Sequence, residues 1–252
     1  MIGVVIVTYR SEAYIEMCLR SLFRELQSVG EDYSLFLIDN ASSDRAVNIA
    51  REVFEPIHVL ENDKNLGFAK AANQGIRKCL DVGCTEVLLM NPDTEMEKKS
   101  LEKLISRIRD CDENKNGRGI GIVQPLITLM SDPNVVNTSG NVDRGLGFVS
   151  VGGYGKSVDE VKKKEQESGG RISYASGACM MVKKEVFEEV GLFDERFFLY
   201  FEDTEFSQRV CKAEWKIVLV ADALVRHDYR VVSSYGKIWN VLKSWWKYVL
   251  LR

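Results

Sequence analysis

Between Ile2 and Met90 short apolar runs alternate with amphipathic stretches, and few folds accept that pattern. Ile2–Val7 is apolar throughout, as a strand buried on both faces requires. Leu35–Ile38, Ile57–Leu60 and Glu86–Met90 read as further strands. Between them, Glu12 to about Val29, Asp44 to about Phe54, and Gly67 to about Leu80 read as helices. In the first, Ile15, Leu19, Leu22, Phe23 and Leu26 share a face. Strands alternating with helices predict an α/β fold, with a mostly parallel central sheet and right-handed crossovers. Each run ends in polar residues: Thr8-Tyr9-Arg10, Asp39-Asn40, Asn62-Asp63-Lys64-Asn65 and Asn91-Pro92-Asp93. A parallel sheet carries these ends to one edge, where open α/β sheets bind ligands.

The last of these ends is the sharpest. Pro92 biases Asn91 away from helical geometry, so the strand stops there with the Asp93 carboxylate at its mouth. An acid so placed suits a hard divalent cation holding a diphosphate. Asp93 or Thr94 equally suits the cap of a following helix. At the other ends, Tyr9 can stack a base and Arg10 can reach phosphate. Asp39 can accept a hydrogen bond from a base N–H, while Ser11, Ser43 and Asp44 are candidate caps. Asn65-Leu66-Gly67 precedes a helix start, where free N–H groups favour anions.

The chain has 252 residues and a net charge of −3. That allows one large domain with a full core and gives no nucleic-acid-type basic field. The six cysteines form no Cys-x-x-Cys pair and no zinc spacing, so reduced core thiols in a reducing compartment are expected. The Ile2–Val7 run is too short for a signal peptide and no run is long enough to span a bilayer, which predicts a cytoplasmic protein. The first strand is followed by no Gly-x-Gly-x-x-Gly, against a dinucleotide dehydrogenase, and the absence of Gly-Lys-Ser/Thr excludes a P-loop.

In the second half, Lys98–Arg109 reads as a helix and Gly119–Val123 as a strand. Ser131 to Gly170 reads as a long, partly mobile connection, with Lys162–Glu167 a solvated helix face. Order resumes at Tyr174–Val182, and a helix over Lys183–Val190 stops at Gly191. The strip Phe197-Phe198-Leu199-Tyr200-Phe201 delivers Glu202 and Asp203 to a helix start, with Phe206, Val210 and Cys211 on one face. A helix N-terminus favours the ionised carboxylate, and such a carboxylate beside an aromatic wall can act as a general base. An N-cap role for Asp203 is the equal alternative. His58 lies in an apolar strand and reads as structural. His227 stands at a strand end, as a structural residue or a metal ligand.

Taken in order, several segments carry a family resemblance. They are Val5–Tyr9, Ile38–Asp44, Asn65–Ala69 with Asn73, Leu89–Asp93, Ser176–Met180, Gly191–Phe198, Tyr200–Asp203 and His227. The set resembles the inverting glycosyltransferases of glycosyltransferase family two, which have the GT-A fold, in the branch of the bacterial rhamnosyltransferases. The resemblance covers nearly all of residues 2–228 as a single Rossmann-like domain. It implies that Thr8, Tyr9, Arg10 and Asp39, with Asn65, Gly67 and Asn73, hold the nucleotide. Asn91-Pro92-Asp93 stands where the family has Asp-x-Asp. That places magnesium or manganese on Asp93, with Asn91 and His227 as further contacts. Asp203 is then the general base, with Glu202 the next candidate. Two departures stand out: Asn91 replaces an acid, and Asp-Tyr-Arg replaces the branch's small residues after His227.

The implied reaction moves a sugar from a nucleotide-diphosphate donor to a hydroxyl of a glycan or lipid-linked acceptor, with inversion. The branch implies rhamnose from a thymidine diphosphate donor. The alternatives are a catalytically silent nucleotide-sugar-binding or scaffolding subunit, and a nucleotidyltransferase. The latter needs a basic glycine-rich loop after the first strand, which the chain lacks. The Ser131–Gly170 connection is expected to close over donor or acceptor.

Residues 229–252 are a basic tail without Asp or Glu. From Lys237 to Arg252 it reads as an amphipathic helix. Ile238, Val241, Leu242, Trp245 and Val249, widened by Trp246, face Asn240, Lys243, Ser244 and Lys247 across it. This suits the inner face of the cell membrane as a peripheral attachment. A helix packed on the domain, or on a second copy in a homodimer, is the other reading.

Overall fold

The computed structural model describes residues 1–110, 118–143, 149–229 and 243–248. In the first half β1 (Ile2–Thr8), β2 (Tyr33–Asp39), β3 (His58–Glu61) and β4 (Glu86–Met90) alternate with α1 (Ile15–Val29), α2 (Ala46–Val53) and α3 (Phe68–Asp81). This is the alternation that the apolar pattern predicts. The pairings are parallel, and Thr8 lies beside Asp39 while Ile6 lies beside Met90. β1, β2 and β3 end level and β4 stops at Met90 beside Ile6, so the Asn91–Asp93 turn joins the other polar termini along one edge.

The second half adds β5 (Thr94–Met96), α4 (Ser100–Arg109), β6 (Ile120–Leu129), β7 (Val136–Thr138), β8 (Asn141–Asp143), β9 (Val149–Val151) and α5 (Val158–Ser168). It ends with β10 (Cys179–Lys183), α6 (Lys184–Val190), α7 (Glu202–Lys212) and β11 (Lys216–His227). The main sheet has nine strands, ordered β3-β2-β1-β4-β10-β6-β11-β5, with β7 paired to β6. β3, β2, β1, β4, β6 and β11 run one way. β10 runs against both of its neighbours, so its start, not its end, lies at the mouth beside Met90.

Each face of the sheet is covered. On one side Leu19, Leu22 and Leu26 of α1 pack with Leu101, Leu104 and Ile108 of α4 against Val4, Ile6 and Leu88. On the other, Ala72 and Ile76 of α3 and Phe206 and Val210 of α7 pack against Val5, Leu89 and Met180. Burial of these side chains supplies the main drive to fold, at roughly 25 cal/mol per Å² of apolar surface. The faces are legible because the helical spacing of apolar residues matches the turn of the helix.

Three expectations change. The stretch from Ser131 to Gly170 is not an irregular connection: β7 extends the sheet, β8 pairs with β9, and α5 starts at a Ser157 cap that accepts from Glu160 N. Gly140, Gly153 and Gly155, all with positive φ, mark turns beside the short strands, while Asn137 and Asn141 lie within β7 and β8. Val161 seats α5 against Leu126, Leu219 and Ala221, and the Lys162–Glu167 face is largely solvated as predicted. Cys18, Cys79, Cys84 and Cys179 are buried free thiols, but Cys211 is exposed. One step past Val210, it falls off the buried stripe of α7. Cys111 lies outside the described residues.

The tail differs too. Lys237, Ile238, Asn240, Val241, Leu242, Val249 and Arg252 lie outside the described residues. Residues 243–248 are helical, and the buried pair is Ser244 and Tyr248, one turn apart. Ser244 thus faces the domain rather than solvent, while Trp246 is exposed. Among the described residues no helix is long and apolar enough to cross a membrane.

Candidate active site

The acidic turn after β4 is clamped from two sides. Asn91 N donates to Ala178 O at 2.9 Å, just before β10. Asp228 N donates to Asp93 O at 3.0 Å, just after β11. Thr94 Oγ1 closes the turn by donating to Asn91 O at 2.6 Å. Strand β5 follows directly, with Thr94 beside His227, and α4 begins only at Ser100. Neither Asp93 nor Thr94 therefore caps a helix.

Asp93 Oδ1 is buried and has no hydrogen-bond partner among the described residues. It lies 3.5 Å from His227 Nε2. His227 Nδ1 is 3.1 Å from Asn137 Oδ1. An amide oxygen only accepts, so Nδ1 donates to Asn137 and Nε2 is the ring atom turned toward Asp93. A buried carboxylate oxygen without a hydrogen-bond partner among the described residues and a ring nitrogen 3.5 Å from it suit a divalent cation. Among the described residues there is no cluster of three or more His, Cys, Asp or Glu for a metal. The remaining ligands of such a cation would be diphosphate oxygens and water, the usual habit of a hard ion at a phosphate site. Asn137, which sets the imidazole tautomer, was hidden in the stretch expected to be irregular.

The second acidic group reaches the same mouth from α7. Asp203 Oδ2 accepts from Gly177 N at 2.9 Å, and Oδ1 accepts from Thr204 N at 2.7 Å. The N-cap is Phe201, so Asp203 is not the cap; it ties the first turn of α7 to the start of β10. Tyr200 and Phe201 both have left-handed backbone, with φ of 71° and 69°. Such conformations cost about 1–3 kcal/mol each and persist only where surrounding structure holds them.

Burial pushes the Asp203 carboxyl up, against the hydrogen bonds from Gly177 and Thr204 that favour its charged form. Burial first, and the Asp203 charge second, push Glu202 up to about 8. Glu202 Oε2 has no hydrogen-bond partner among the described residues. Because the folded value lies above the ordinary 4.5, the folded state holds this proton longer than the unfolded chain. Stability is then intact below pH 4.5 and is lost as pH rises through about 8. Glu202→Gln removes that loss. Thermal unfolding should show the variant gaining on wild type across this window, by about 1.4 kcal/mol for each tenfold difference in proton affinity between the folded and unfolded chain. Parallel curves would show that Glu202 is ionised throughout.

On the β1–β2 side, Thr8 Oγ1 and Asp39 Oδ1 sit level, buried and without hydrogen-bond partners among the described residues. Buried polar atoms are normally paired, so this pair fits a ligand that supplies the partners. Asp39 Oδ2 is held by Ser42 N at 2.9 Å. Tyr9 is 44% exposed, with the Arg10 guanidinium 5.3 Å from its ring centre. Both are free to meet a base and a phosphate.

Three members of the expected nucleotide set, Asn65, Gly67 and Asn73, make turn and packing contacts here. The first N–H of α3, on Phe68, donates to Phe198 O at 2.7 Å and so is not open to an anion. Gly67 permits that approach: its φ is +83°, and a Cβ there would lie 2.4 Å from Phe198 O. Asn65 Oδ1 accepts from Gly67 N at 2.9 Å and shapes the same turn. Asn73 is fully buried, with its amide spent on both backbone groups of Phe193 and on Glu195. It ties the Phe193–Glu195 segment to α3. Asn40, not singled out by sequence, links Gly67 O and Asn62 in the same way. His58 stacks on Phe36 at 5.0 Å, in keeping with a structural role.

A sheet of this order with acids gathered at one mouth defines the GT-A class of glycosyltransferase. The chain belongs to glycosyl transferase family group 2, whose model matches residues 87–250, more than half of it, and the model for glycosyl transferase family 2 matches residues 3–115. It is 29% identical over 209 residues to the low-salt glycan biosynthesis hexosyltransferase Agl10 of Haloferax volcanii, covering 82% of this chain and 61% of that one. It is 27% identical over 244 residues to the N-acetylglucosaminyl-diphospho-decaprenol L-rhamnosyltransferase of Mycobacterium tuberculosis, covering 90% of this chain and 76% of that one. In fold it is similar to the mannosyltransferase PcManGT from Pyrobaculum calidifontis in complex with GDP-Man and Mn2+. That match has a TM-score of 0.68 at 13% identity and covers all of this chain and 64% of the other. The chain thus spans less than two thirds of the archaeal hexosyltransferase and of that solved structure.

Proposed function

We propose that this protein transfers a sugar, with inversion, from a nucleoside-diphosphate donor to a hydroxyl of a glycan or lipid-linked acceptor. One observation carries the reading. The consecutive residues Gly177 and Ala178 hold Asp203 and the Asp93 turn respectively, so base and cation site share one rigid support. The support is backbone, fixed by β10 against β4.

The parts divide as follows. Thr8 and Asp39 receive the nucleotide, Tyr9 stacks on its base, and Arg10 reaches phosphate. Asp93 and His227, with Asn91 beside them, would hold magnesium or manganese. When bound, the cation supplies Lewis-acid stabilisation of the leaving diphosphate. Asp203 takes the proton of the acceptor hydroxyl as that oxygen attacks the anomeric carbon from the face opposite the diphosphate. Burial that raises the Asp203 carboxyl makes it a stronger base, and Gly177 N–H fixes its aim. No covalent intermediate is needed. The mycobacterial relative's name favours rhamnose as the sugar and a lipid-linked acceptor.

A lipid-linked acceptor would put the protein at the inner face of the membrane. Trp246, Lys243 and Lys247 are exposed on the 243–248 helix and suit an anionic surface. Sedimentation with anionic vesicles at low salt checks this, and a protein that stays in the supernatant sinks it. The catalytic reading is tested by a thermal-shift panel of nucleoside diphosphates with and without manganese. One nucleotide should stabilise the protein, and more so with the metal, because selective binding to the folded state raises Tm by mass action. No shift with any member overturns the reading.

A further inference from the structure

We propose that the 243–248 helix is a strut that aims Asp203, with Ser244 and Tyr248 as positioning residues. The inference rests on Asp203 being the general base.

The segment before Asp203 has no regular structure of its own. It passes through two consecutive left-handed residues, Tyr200 and Phe201, before α7 begins at Glu202. Its carbonyls are held from outside. Phe198 O accepts from Phe68 N of α3 at 2.7 Å. Leu199 O accepts from Ser244 Oγ at 2.8 Å, and Arg196 O accepts from Lys247 Nζ at 2.5 Å. The last two contacts come from the 243–248 helix.

The contact is also apolar. Tyr248 is 1% exposed, and its ring lies 5.6 Å from that of Phe201. Phe201 is the N-cap of α7, and its O accepts from Glu205 N at 2.9 Å. Ser244 and Tyr248, one turn apart, therefore grip the residues on either side of Tyr200. Without that grip Leu199–Phe201 can relax to commoner backbone angles, since strained φ values persist only when over-determined. Relaxation would rotate the start of α7 and loosen Asp203 from Gly177. Ser244 and Tyr248 meet Leu199 and Phe201, beside Asp203, so the loss of the strut acts on the chemical step and not on donor affinity.

The test uses the whole chain with the donor selected by the thermal-shift panel and manganese. Turnover is read as nucleoside diphosphate release with water as acceptor, a step that needs a base and no glycan. Ser244→Ala and Tyr248→Ala should lower kcat by about 10- to 100-fold, the scale of a misplaced catalytic group, with KM for donor unchanged. Hydrogen exchange at the amides of Glu202–Thr204 should quicken in both. Tyr248→Phe and Ser244→Thr keep the ring and the hydroxyl and should keep the rate. If both alanine variants lose thermal stability yet turn over as fast as wild type, the helix is merely structural and the proposal fails. Asp203→Asn run in parallel separates the two ideas. If it is inactive while the alanine variants are unimpaired, only the strut is wrong. If it turns over normally, the base assignment falls and this inference falls with it.

Discussion

Asp203→Asn is expected to lower sugar transfer by about two to four orders of magnitude while the donor binds as before, the usual size of a general-base effect. The substitution keeps the shape and removes the base. It also has a small structural cost that can be foreseen. Asp203 accepts from Gly177 N through one oxygen and from Thr204 N through the other. An amide offers one accepting oxygen, so one of these N–H groups loses its partner, at about 1 kcal/mol or somewhat more. A slightly lowered Tm is thus part of the expectation and does not explain a rate loss of that size. The nucleotide side, at Thr8 and Asp39, is untouched. Calorimetric donor affinity with kcat measured side by side decides the matter. Near-normal kcat would remove Asp203 from the chemistry and make Glu202, buried beside it with an unpartnered oxygen, the next residue to test.

How much of this was legible in the sequence depends on the range of the interactions. The strands of the first half could be read because a buried parallel strand is apolar on both faces, as Ile2–Val7 is. The stop of β4 at Met90 could be read because Pro92 enforces it locally. The placement of β10 could not. Antiparallel insertion between β4 and β6 is a pairing between segments far apart in the chain, and nothing within Cys179–Lys183 encodes its direction. The acids of the site were visible as residue types at strand and helix ends. Their supports were not: Asn137 beneath His227, the Gly177 N–H on Asp203, and Ser244 on Leu199 are contacts between distant segments. The same blindness made Gly67 look like part of an anion site. A glycine before a helix signals either an open N-terminus or a close approach, and only the position of Phe198 decides between them.

Asp93→Ala is expected to abolish metal-dependent donor binding and leave the fold intact. The second half of that expectation follows from the hydrogen bonds of the turn. Those that hold it use Asn91 N, Asn91 O and the Asp93 carbonyl, together with Thr94 Oγ1, and none uses the Asp93 carboxylate. Removing the side chain therefore leaves the turn closed. It also removes a buried oxygen that lacks a hydrogen-bond partner, which is no loss to stability in the metal-free protein. The first half follows from charge. Asp93 is the only acid in Asn91-Pro92-Asp93, and His227 Nε2, 3.5 Å from it, offers a nitrogen and not a carboxylate. Without Asp93 the Asn91–Asp93 turn has no carboxylate to offset a divalent ion, and an imidazole with a side-chain amide is a poor substitute for hard cations. Calorimetric titration with manganese and the selected nucleoside diphosphate should show the metal's enhancement of affinity in wild type and its absence in the variant, with the weaker metal-free binding equal in both. His227→Ala should lie between the two, since it removes a ligand but leaves the carboxylate. An undiminished affinity for the metal–nucleotide complex in Asp93→Ala would place the cation elsewhere at the mouth and sink the assignment.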